Sequence, residues 1–152
     1  MKISENAFKW CMRLYPPFLL QRIWVQQISS NFKEIQVKIN RCLATSNFGK
    51  ATFGGTIVSA IDPFHALLIG QILRNKNYKV TVWLKSSSIK FLKPAKSDLF
   101  FTITISESEI VEIENELNTK GVFVKTYSTG ICSKKNELIA LAKNEVYIKK
   151  IN

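Results

Sequence analysis

The chain has 152 residues, 46% of them hydrophobic and 22% charged, which predicts one globular domain with a sizeable core and excludes a disordered chain. Its 22 Lys and Arg exceed its 11 Asp and Glu, giving a net charge of +11. This excess would attract polyanions, although a compositional bias towards Lys, Asn and Ile explains it equally well. No block of consecutive basic residues forms a nucleic-acid arm, so we do not expect nucleic acid as a partner.

Residues 1–21 are expected to form a helical extension. Residues 4–14 have the pattern of a short amphipathic helix with Ser4 as its N-cap, and Pro16-Pro17 would end it and begin a further turn. The apolar stretch 15–25 predicts a lid on the core, or alternatively a segment that lies on a membrane surface. The start of the chain does not fit a signal peptide and no run of 18 apolar residues predicts a membrane span, so we expect a cytoplasmic protein.

Two strands should follow, over Ile23–Ile28 and Glu34–Ile39, because apolar and polar residues alternate in the second run and a turn cluster separates the two. Residues 42–55 are expected to form a loop. From Thr56 to Arg74 the sequence is apolar almost all round, which predicts one buried helix about 28 Å long.

The remainder is mostly strand-like. We predict strands over residues 78–84, 88–92, 99–105, 122–127 and 137–148. Residues 106–120 are the exception, because apolar residues recur there at helical spacing among glutamates. We predict a short inserted helix that starts near Ser108 and ends at Gly121, with a solvated acidic face.

The order of these elements predicts an α+β domain spanning residues 1–152. There is no strand–helix alternation of the kind that builds a parallel sheet. A helix that is apolar all round must be packed against other elements. We therefore predict an antiparallel sheet wrapped around one long central α-helix, with the N-terminal helix and the inserted helix outside the sheet.

A motif before the long helix carries a resemblance to a known family. The chain reads Asn47-Phe48-Gly49, then Thr52-Phe53-Gly54-Gly55-Thr56, and then Asp62 within the helix. This resembles the hotdog-fold superfamily, and within it the phenylacetyl-CoA-type acyl-CoA thioesterases, whose pattern has a His-Gly-Gly and an acidic residue nine positions after the His. Phe53 stands where that His would be. The later sequence Phe91-Leu92-Lys93-Pro94 is similar to a strand-ending turn of the family.

The resemblance covers residues 22–150 and is closest to an uncharacterised branch, a domain of unknown function. It implies a hotdog core over these residues and thioester hydrolysis, with coenzyme A as part of the substrate and no separate cofactor. Because the three cysteines form no CxxC pair and the chain has one histidine, we expect no metal site.

Thioester hydrolysis requires donors where negative charge develops and a base that activates water. Unpaired N–H groups at the helix start, exposed at Gly54 and Gly55, would be the donors. Asp62 would be the general base or the nucleophile, and Asn47 would orient water or substrate. The substrate-binding residues implied are Thr52, Phe53, Ser59 and His65.

Gly54 and Asp62 are eight residues apart, or about 12 Å along a helix axis. One carbonyl group cannot contact both, so a site that uses both must take them from different subunits. The catalytic interpretation therefore requires a homodimer, or a dimer of dimers, that acts on an acyl-CoA or a related thioester.

Structural interpretations of the same residues stay open. Asp62 precedes Pro63 and could be an N-cap that restarts the helix. The glycines could permit close helix–sheet packing, Asn47 could be a turn residue, and His65 could belong to the core. Since Phe53 replaces a polar residue, a non-catalytic acyl-CoA or acyl-chain binding module is the alternative function. A nucleic-acid-binding protein, suggested by the net charge of +11 alone, is a second and less favoured alternative.

Overall fold

The fold is built on a six-stranded antiparallel sheet that packs around a central helix. We describe residues 3–151 of a computed structural model. In chain order the elements are α1 (Glu5–Leu14), α2 (Pro16–Leu20), β1 (Ile23–Ile28), β2 (Glu34–Ile39), α3 (Gly54–Ile61), α4 (Phe64–Asn75), β3 (Val80–Phe91), β4 (Leu99–Thr104), α5 (Glu107–Thr119), β5 (Val122–Ser133) and β6 (Leu138–Lys150).

The strands lie in the order β1-β2-β4-β5-β6-β3, and every neighbouring pair is antiparallel. The strands β1 and β2 begin and end where the sequence predicts. The two strands predicted over residues 78–84 and 88–92 are instead one strand, β3. A register shift between Leu84 and Ser86 lets it remain paired with β6 along its length, so the serine run between the predicted strands does not interrupt the ladder.

The long central helix predicted from Thr56 to Arg74 is confirmed, and it runs from Gly54 to Asn75. It is divided into α3 and α4 at Asp62 and Pro63, where the sequence left a break open. Proline has no N–H group, so it cannot complete the backbone ladder at this point. Both residues nevertheless keep right-handed helical backbone angles, so α4 follows α3 without a loop.

Burial of the central helix is incomplete. Its inward side chains, such as Ile57, Ile61 and Leu68, are fully buried. Successive turns on another side leave a partly open stripe in which Val58 is 39% exposed, Asp62 is exposed and Ala66 is half-buried. The segment Gly54–Asn75 has the length and composition of a membrane span, yet 67% of its most apolar window is buried. Packing within the sheet therefore accounts for most of its apolar character, and the stripe is the part left uncovered.

The N-terminal helices form as predicted. Ser4 caps α1, and its hydroxyl accepts a hydrogen bond from the N–H of Ala7 at 3.2 Å. Phe8 packs edge-on against Phe32. Phe18 of α2 contacts the central helix at Phe64, with ring centroids 5.6 Å apart. One large side chain from each helix therefore anchors the extension to the core.

The inserted helix α5 starts one residue before the predicted Ser108. Its N-cap is Ser106, whose hydroxyl accepts from the N–H of Glu109 while the Glu109 carboxylate accepts from the N–H of Ser106. This reciprocal capping box satisfies two backbone donors, which Ser108 could not do at its spacing. The helix ends before Gly121, whose φ of +73° suits glycine.

Candidate active site

The loop before α3 is closed by Asn47. Its N–H donates to the carbonyl of Ala51 at 2.8 Å, and its side-chain oxygen accepts from the N–H of Ala51 at 3.1 Å. A Cβ on Gly49 would lie 3.3 Å from that oxygen, so glycine leaves room for the contact. Asn47 therefore performs the turn role, and it also lines the pocket described below. Its expected role in orienting water or substrate stays a prediction.

The start of α3 offers unpaired donors. The carbonyl of Phe53 accepts from the N–H of Thr56 at 3.0 Å, and the N–H of Phe53 itself donates to Thr45 at 2.7 Å. Within residues 3–151, no hydrogen-bond acceptor contacts the N–H of Gly54 or of Gly55. These groups carry the positive end of the helix dipole, so they can receive a carbonyl oxygen that becomes negatively charged.

A pocket of about 550 Å³ opens beside Gly54. The loop forms one wall, and the end of β3 with the turn after it forms the other. Its lining residues are Asn47, Gly49, Ala51, Thr52, Gly54, Ile57, Phe91, Leu92, Lys93, Pro94 and Ala95. The walls are mostly apolar and enclose a volume typical of small-molecule sites.

A backbone hydrogen bond ties the two walls together, since the N–H of Thr52 donates to the carbonyl of Ala95 at 2.8 Å. The second wall is also held to β6, because the N–H of Leu92 donates to the carbonyl of Ile139 at 2.8 Å. Thr52 is only 4% exposed, and its hydroxyl has no hydrogen-bond partner among the described residues. Buried hydroxyls are rarely left unpaired, so this one is an unsatisfied polar group within the pocket wall. Lys93 is the one charged residue of the lining, and it pairs with Glu137.

Aromatic rings cover both glycines at the helix start. A Cβ on Gly54 would lie 3.1 Å from the tip of the Phe91 ring, and one on Gly55 would overlap the Phe53 ring. The glycines therefore permit close packing, as the structural interpretation of the motif requires. The Phe53 side chain is 58% exposed, so solvent surrounds much of the ring that lies on Gly55.

Asp62 lies outside the pocket of its own chain. It is the C-cap residue directly after α3, where its N–H donates to the carbonyl of Val58 at 3.0 Å. Its backbone is helical, and no side chain caps α4, so Asp62 does not act as the N-cap considered from the sequence. Partial burial raises the pKa of its carboxyl group. The carboxylate forms no hydrogen bond or ion pair with the described residues, so it is available to an external group.

The backbone next to Asp62 is held by a residue that the sequence analysis did not select. The amide nitrogen of Asn144, on β6, donates to the carbonyl of Ile61 at 2.9 Å, and its oxygen accepts from the hydroxyl of Ser87 at 2.7 Å. Asn144 is buried. It occupies a strand position whose neighbours at two-residue spacing, Ala142 and Val146, are buried and apolar. A polar residue at such a position is a signal that could have identified it.

Ser59 and His65 do not reach the pocket. The hydroxyl of Ser59 donates to the carbonyl of Gly55 at 2.9 Å, within the helix. His65 is 3% exposed and stacks on Tyr127, with ring centroids 4.6 Å apart. Burial lowers the pKa of His65 to about 4, so the ring is neutral near pH 7. The structure thus brings together Asn47, Thr52 and Gly54, and leaves these two residues and Asp62 elsewhere.

Comparison with known proteins decides the family. Residues 4–131 match the family described as Domain of unknown function (DUF4442). The chain belongs to this family. No curated protein matches the sequence. The branch without an assigned function that the motif indicated is therefore confirmed.

Solved structures with similar folds bear names of the thioesterase group. PA5026 of Pseudomonas aeruginosa, a protein of unknown function described as a probable thioesterase, is 12% identical with a TM-score of 0.81, covering 99% of each chain. Thioesterase HI1161 of Haemophilus influenzae is 12% identical with a TM-score of 0.69, covering 99% of this chain and 93% of that one. PaaI of E. coli, from the phenylacetic acid degradation operon, is 15% identical with a TM-score of 0.64, covering 98% and 97%. At these identities the likeness shows the fold, and the predicted hotdog fold is confirmed.

Proposed function

We propose that this DUF4442 protein hydrolyses an acyl-CoA thioester as a homodimer. The observation that carries the proposal is the pair of unpaired N–H groups at Gly54 and Gly55, set beside a largely apolar pocket. The pocket would hold the acyl group, and the helix start would hold the carbonyl oxygen. The names of the structurally similar thioesterases support this choice of chemistry.

The chemical step needs a base that the pocket of one chain lacks. Asp62 lies about 12 Å from Gly54 along α3, on the open stripe with Val58. In the proposed dimer the stripes of two chains face each other, so Asp62 of one chain enters the pocket of the other. Covering Val58 and Ala66 would also remove apolar surface from water, which favours association.

In the proposed reaction Asp62 takes a proton from water as the water oxygen attacks the thioester carbonyl. The resulting oxyanion accepts hydrogen bonds from the N–H groups of the helix start. Collapse of this intermediate breaks the carbon–sulfur bond and releases a carboxylic acid and the coenzyme A thiolate, which takes up the proton. The raised pKa of Asp62 makes it a better proton acceptor than an ordinary surface carboxylate.

A specific observation favours a second candidate, a non-catalytic protein that binds an acyl-CoA or acyl chain. Phe53 occupies the motif position of a polar residue, and its ring lies on Gly55. A ligand would have to displace this ring to contact the second N–H group. Binding to the pocket would survive that restriction, whereas turnover would be slowed.

Complementation between two inactive variants tests the shared site. Asp62→Asn removes the base, and Gly54→Val crowds Phe91 and the helix start. When both variants are co-expressed with different tags, a mixed dimer keeps one pocket with an intact Gly54 facing an intact Asp62. We expect thiol release from acyl-CoA to reappear in the mixed dimer and in neither parent. A mixed dimer as inactive as its parents, alongside an active wild type, would contradict the shared site. A wild-type protein that binds acyl-CoA without releasing thiol would favour the binding module.

Basic residues at the pocket mouth would meet the phosphates of coenzyme A. Lys93 lines the pocket, and saturating coenzyme A should raise the melting temperature through ligand linkage. Lys93→Gln should reduce that rise, while Lys120→Gln, at the C-cap of α5 and outside the pocket lining, should leave it unchanged. The cytoplasmic location and any assembly beyond the dimer stay predictions.

A further inference from the structure

Large apolar side chains are exposed together on the N-terminal extension. Leu14 is 62% exposed and Leu20 is 75% exposed. Together with three neighbours they form what we call the α1–α2 surface, which consists of Trp10, Leu14, Tyr15, Leu19 and Leu20. Contiguous exposed apolar surface usually marks an interaction site. Trp10 and Tyr15 use part of their rings to pack on Trp24 and Phe18, and the three leucines remain largely exposed.

The α1–α2 surface is held in place and does not arise from fraying. Phe8 and Phe18 are buried and fix the inner faces of α1 and α2. The guanidinium of Arg13 lies between the rings of Trp10 and Trp24, at 4.8 and 4.4 Å from their centroids, and donates to the carbonyl of Val25 at 2.8 Å. The two leucines of α2 point outward because Phe18 points inward.

Basic residues predominate in the part of the chain that carries the α1–α2 surface. The sequence contains no Asp or Glu between Glu5 and Glu34, while Lys9, Arg13, Arg22 and Lys33 fall in that interval. Among the described residues, Lys9 and Arg22 form no ion pair. On α5, by contrast, all five glutamates pair with lysines, so the acidic charge there is compensated. Those glutamates are Glu107, Glu109, Glu112, Glu114 and Glu116.

A hollow of about 400 Å³ adjoins the exposed leucines. It begins at Leu19 and is lined by Arg22, Trp24 and Lys38. Lys38 also pairs with Asp98 at 2.9 Å, whereas Arg22 has no such partner among the described residues. A hollow with basic walls next to an apolar ridge matches the order of groups in a lipid, a phosphate followed by acyl chains.

We propose that the α1–α2 surface docks the protein on an anionic lipid bilayer. Leu14, Leu19 and Leu20 enter the outer part of the acyl region, while Trp10 and Tyr15 lie at the headgroup level that such rings prefer. Arg22 faces a lipid phosphate. Apolar insertion and attraction to anionic lipid act together, as in other peripheral proteins.

Co-sedimentation of the full chain with vesicles tests this proposal. Vesicles of equal parts phosphatidylglycerol and phosphatidylcholine should pellet the protein, and pure phosphatidylcholine should do so much less. The double variant Leu19→Ser/Leu20→Ser should bind about tenfold or more weakly, because two exposed leucines lose their insertion energy. The matched control is Val111→Ser/Val124→Ser, which removes two exposed apolar side chains near the acidic helix α5 and should bind as wild type does.

The charge contribution is tested separately. Arg22→Gln should weaken binding to the anionic vesicles about fivefold, consistent with the contribution of one basic residue near such a surface. Arg74→Gln, an exposed arginine on α4, should have no comparable effect. Wild-type protein that ignores anionic vesicles would overturn the proposal. A leucine double variant that binds the vesicles as well as the wild type does would also overturn it. The same holds if the wild type shows no vesicle binding and the leucine double variant loses self-association. The last result would assign the surface to a second copy of the chain.

Discussion

The start and the end of α3 carry different chemical groups. At its start, Gly54 and Gly55 supply uncharged donors beneath aromatic rings, next to a pocket. At its end, Asp62 supplies a carboxylate on an open stripe, outside the lining of that pocket. Each end holds half of what thioester hydrolysis needs, and eight residues of rigid helix keep the halves apart.

The supports of the two ends also differ. The start is held by backbone hydrogen bonds of the loop around Thr52 and by ring contacts. The end is held from the core, by Asn144 at the carbonyl of Ile61 and by His65 packed on Tyr127. Changes at the end should therefore affect stability more than changes at the start, and the carboxylate alone should affect only the chemistry.

The largest effect is expected from the carboxylate. Asp62→Asn should lower the rate of thiol release by about 10²–10⁴-fold, the usual cost of removing a general base. The unfolding free energy should hardly change, because the Asp62 side chain makes no capping bond and pairs with no described residue. Asp62→Ala should behave in the same way. Glu112→Gln is a control for loss of one negative charge. An Asn variant with the wild-type rate would show that Asp62 is not the base.

The stability of the fold is expected to depend on pH through His65, which is buried in the core near the end of α3. His65 has its pKa lowered from 6.5 to about 4 by burial. As pH falls below 6.5, the imidazole takes up a proton in the unfolded chain but stays neutral in the folded chain. The free energy of unfolding is therefore highest above pH 6.5 and decreases towards pH 4, by up to about 3 kcal/mol. Urea unfolding between pH 6.5 and 5 should show this slope. His65→Phe, which keeps a ring against Tyr127, should flatten it, and an unchanged slope would contradict the assignment.

Short-range patterns predicted much of the fold. The bounds of β1 and β2 follow from alternation on either side of a turn cluster, and α1 follows from its Ser4 cap and apolar spacing. These features depend on neighbours in sequence. The continuity of β3 could not be predicted in that way, because its serine run becomes strand only by pairing with β6 through a register shift.

The candidate site was predicted in part for the same reason. The motif located the helix start near Gly54 and the loop residue Asn47, since both roles depend on a few consecutive residues. The break at Pro63 is also local, since proline lacks an N–H group, and the sequence left it open. The open stripe and the role of Asn144 depend on which strand lies opposite and on how much of the helix the sheet covers, so they require the tertiary structure.

The hydrogen bonds by which β6 holds the end of α3 near Asp62 can be removed by mutation. Asn144→Ala leaves the buried carbonyl of Ile61 without its donor and the hydroxyl of Ser87 without its acceptor, and should cost about 1–3 kcal/mol of unfolding free energy. Ser87→Ala removes one of these hydrogen bonds and should cost less. Chemical denaturation of both variants would measure the difference, and equal losses would mean that the bond to Ile61 contributes nothing.

The smallest effect is expected at the start of α3, where a substitution at Gly55 tests the ring of Phe53. Gly55→Ala adds a Cβ that overlaps this ring, but the ring is largely exposed and can turn away, so the unfolding free energy should change by no more than about 0.5 kcal/mol. In a Phe53→Ala background the overlap is absent, and the same substitution should stabilise the helix, because alanine has a higher helix propensity than glycine. A double-mutant cycle by denaturation measures the coupling between the two positions. Zero coupling would mean that the ring does not rest on Gly55, and that the second N–H group is already open to a ligand.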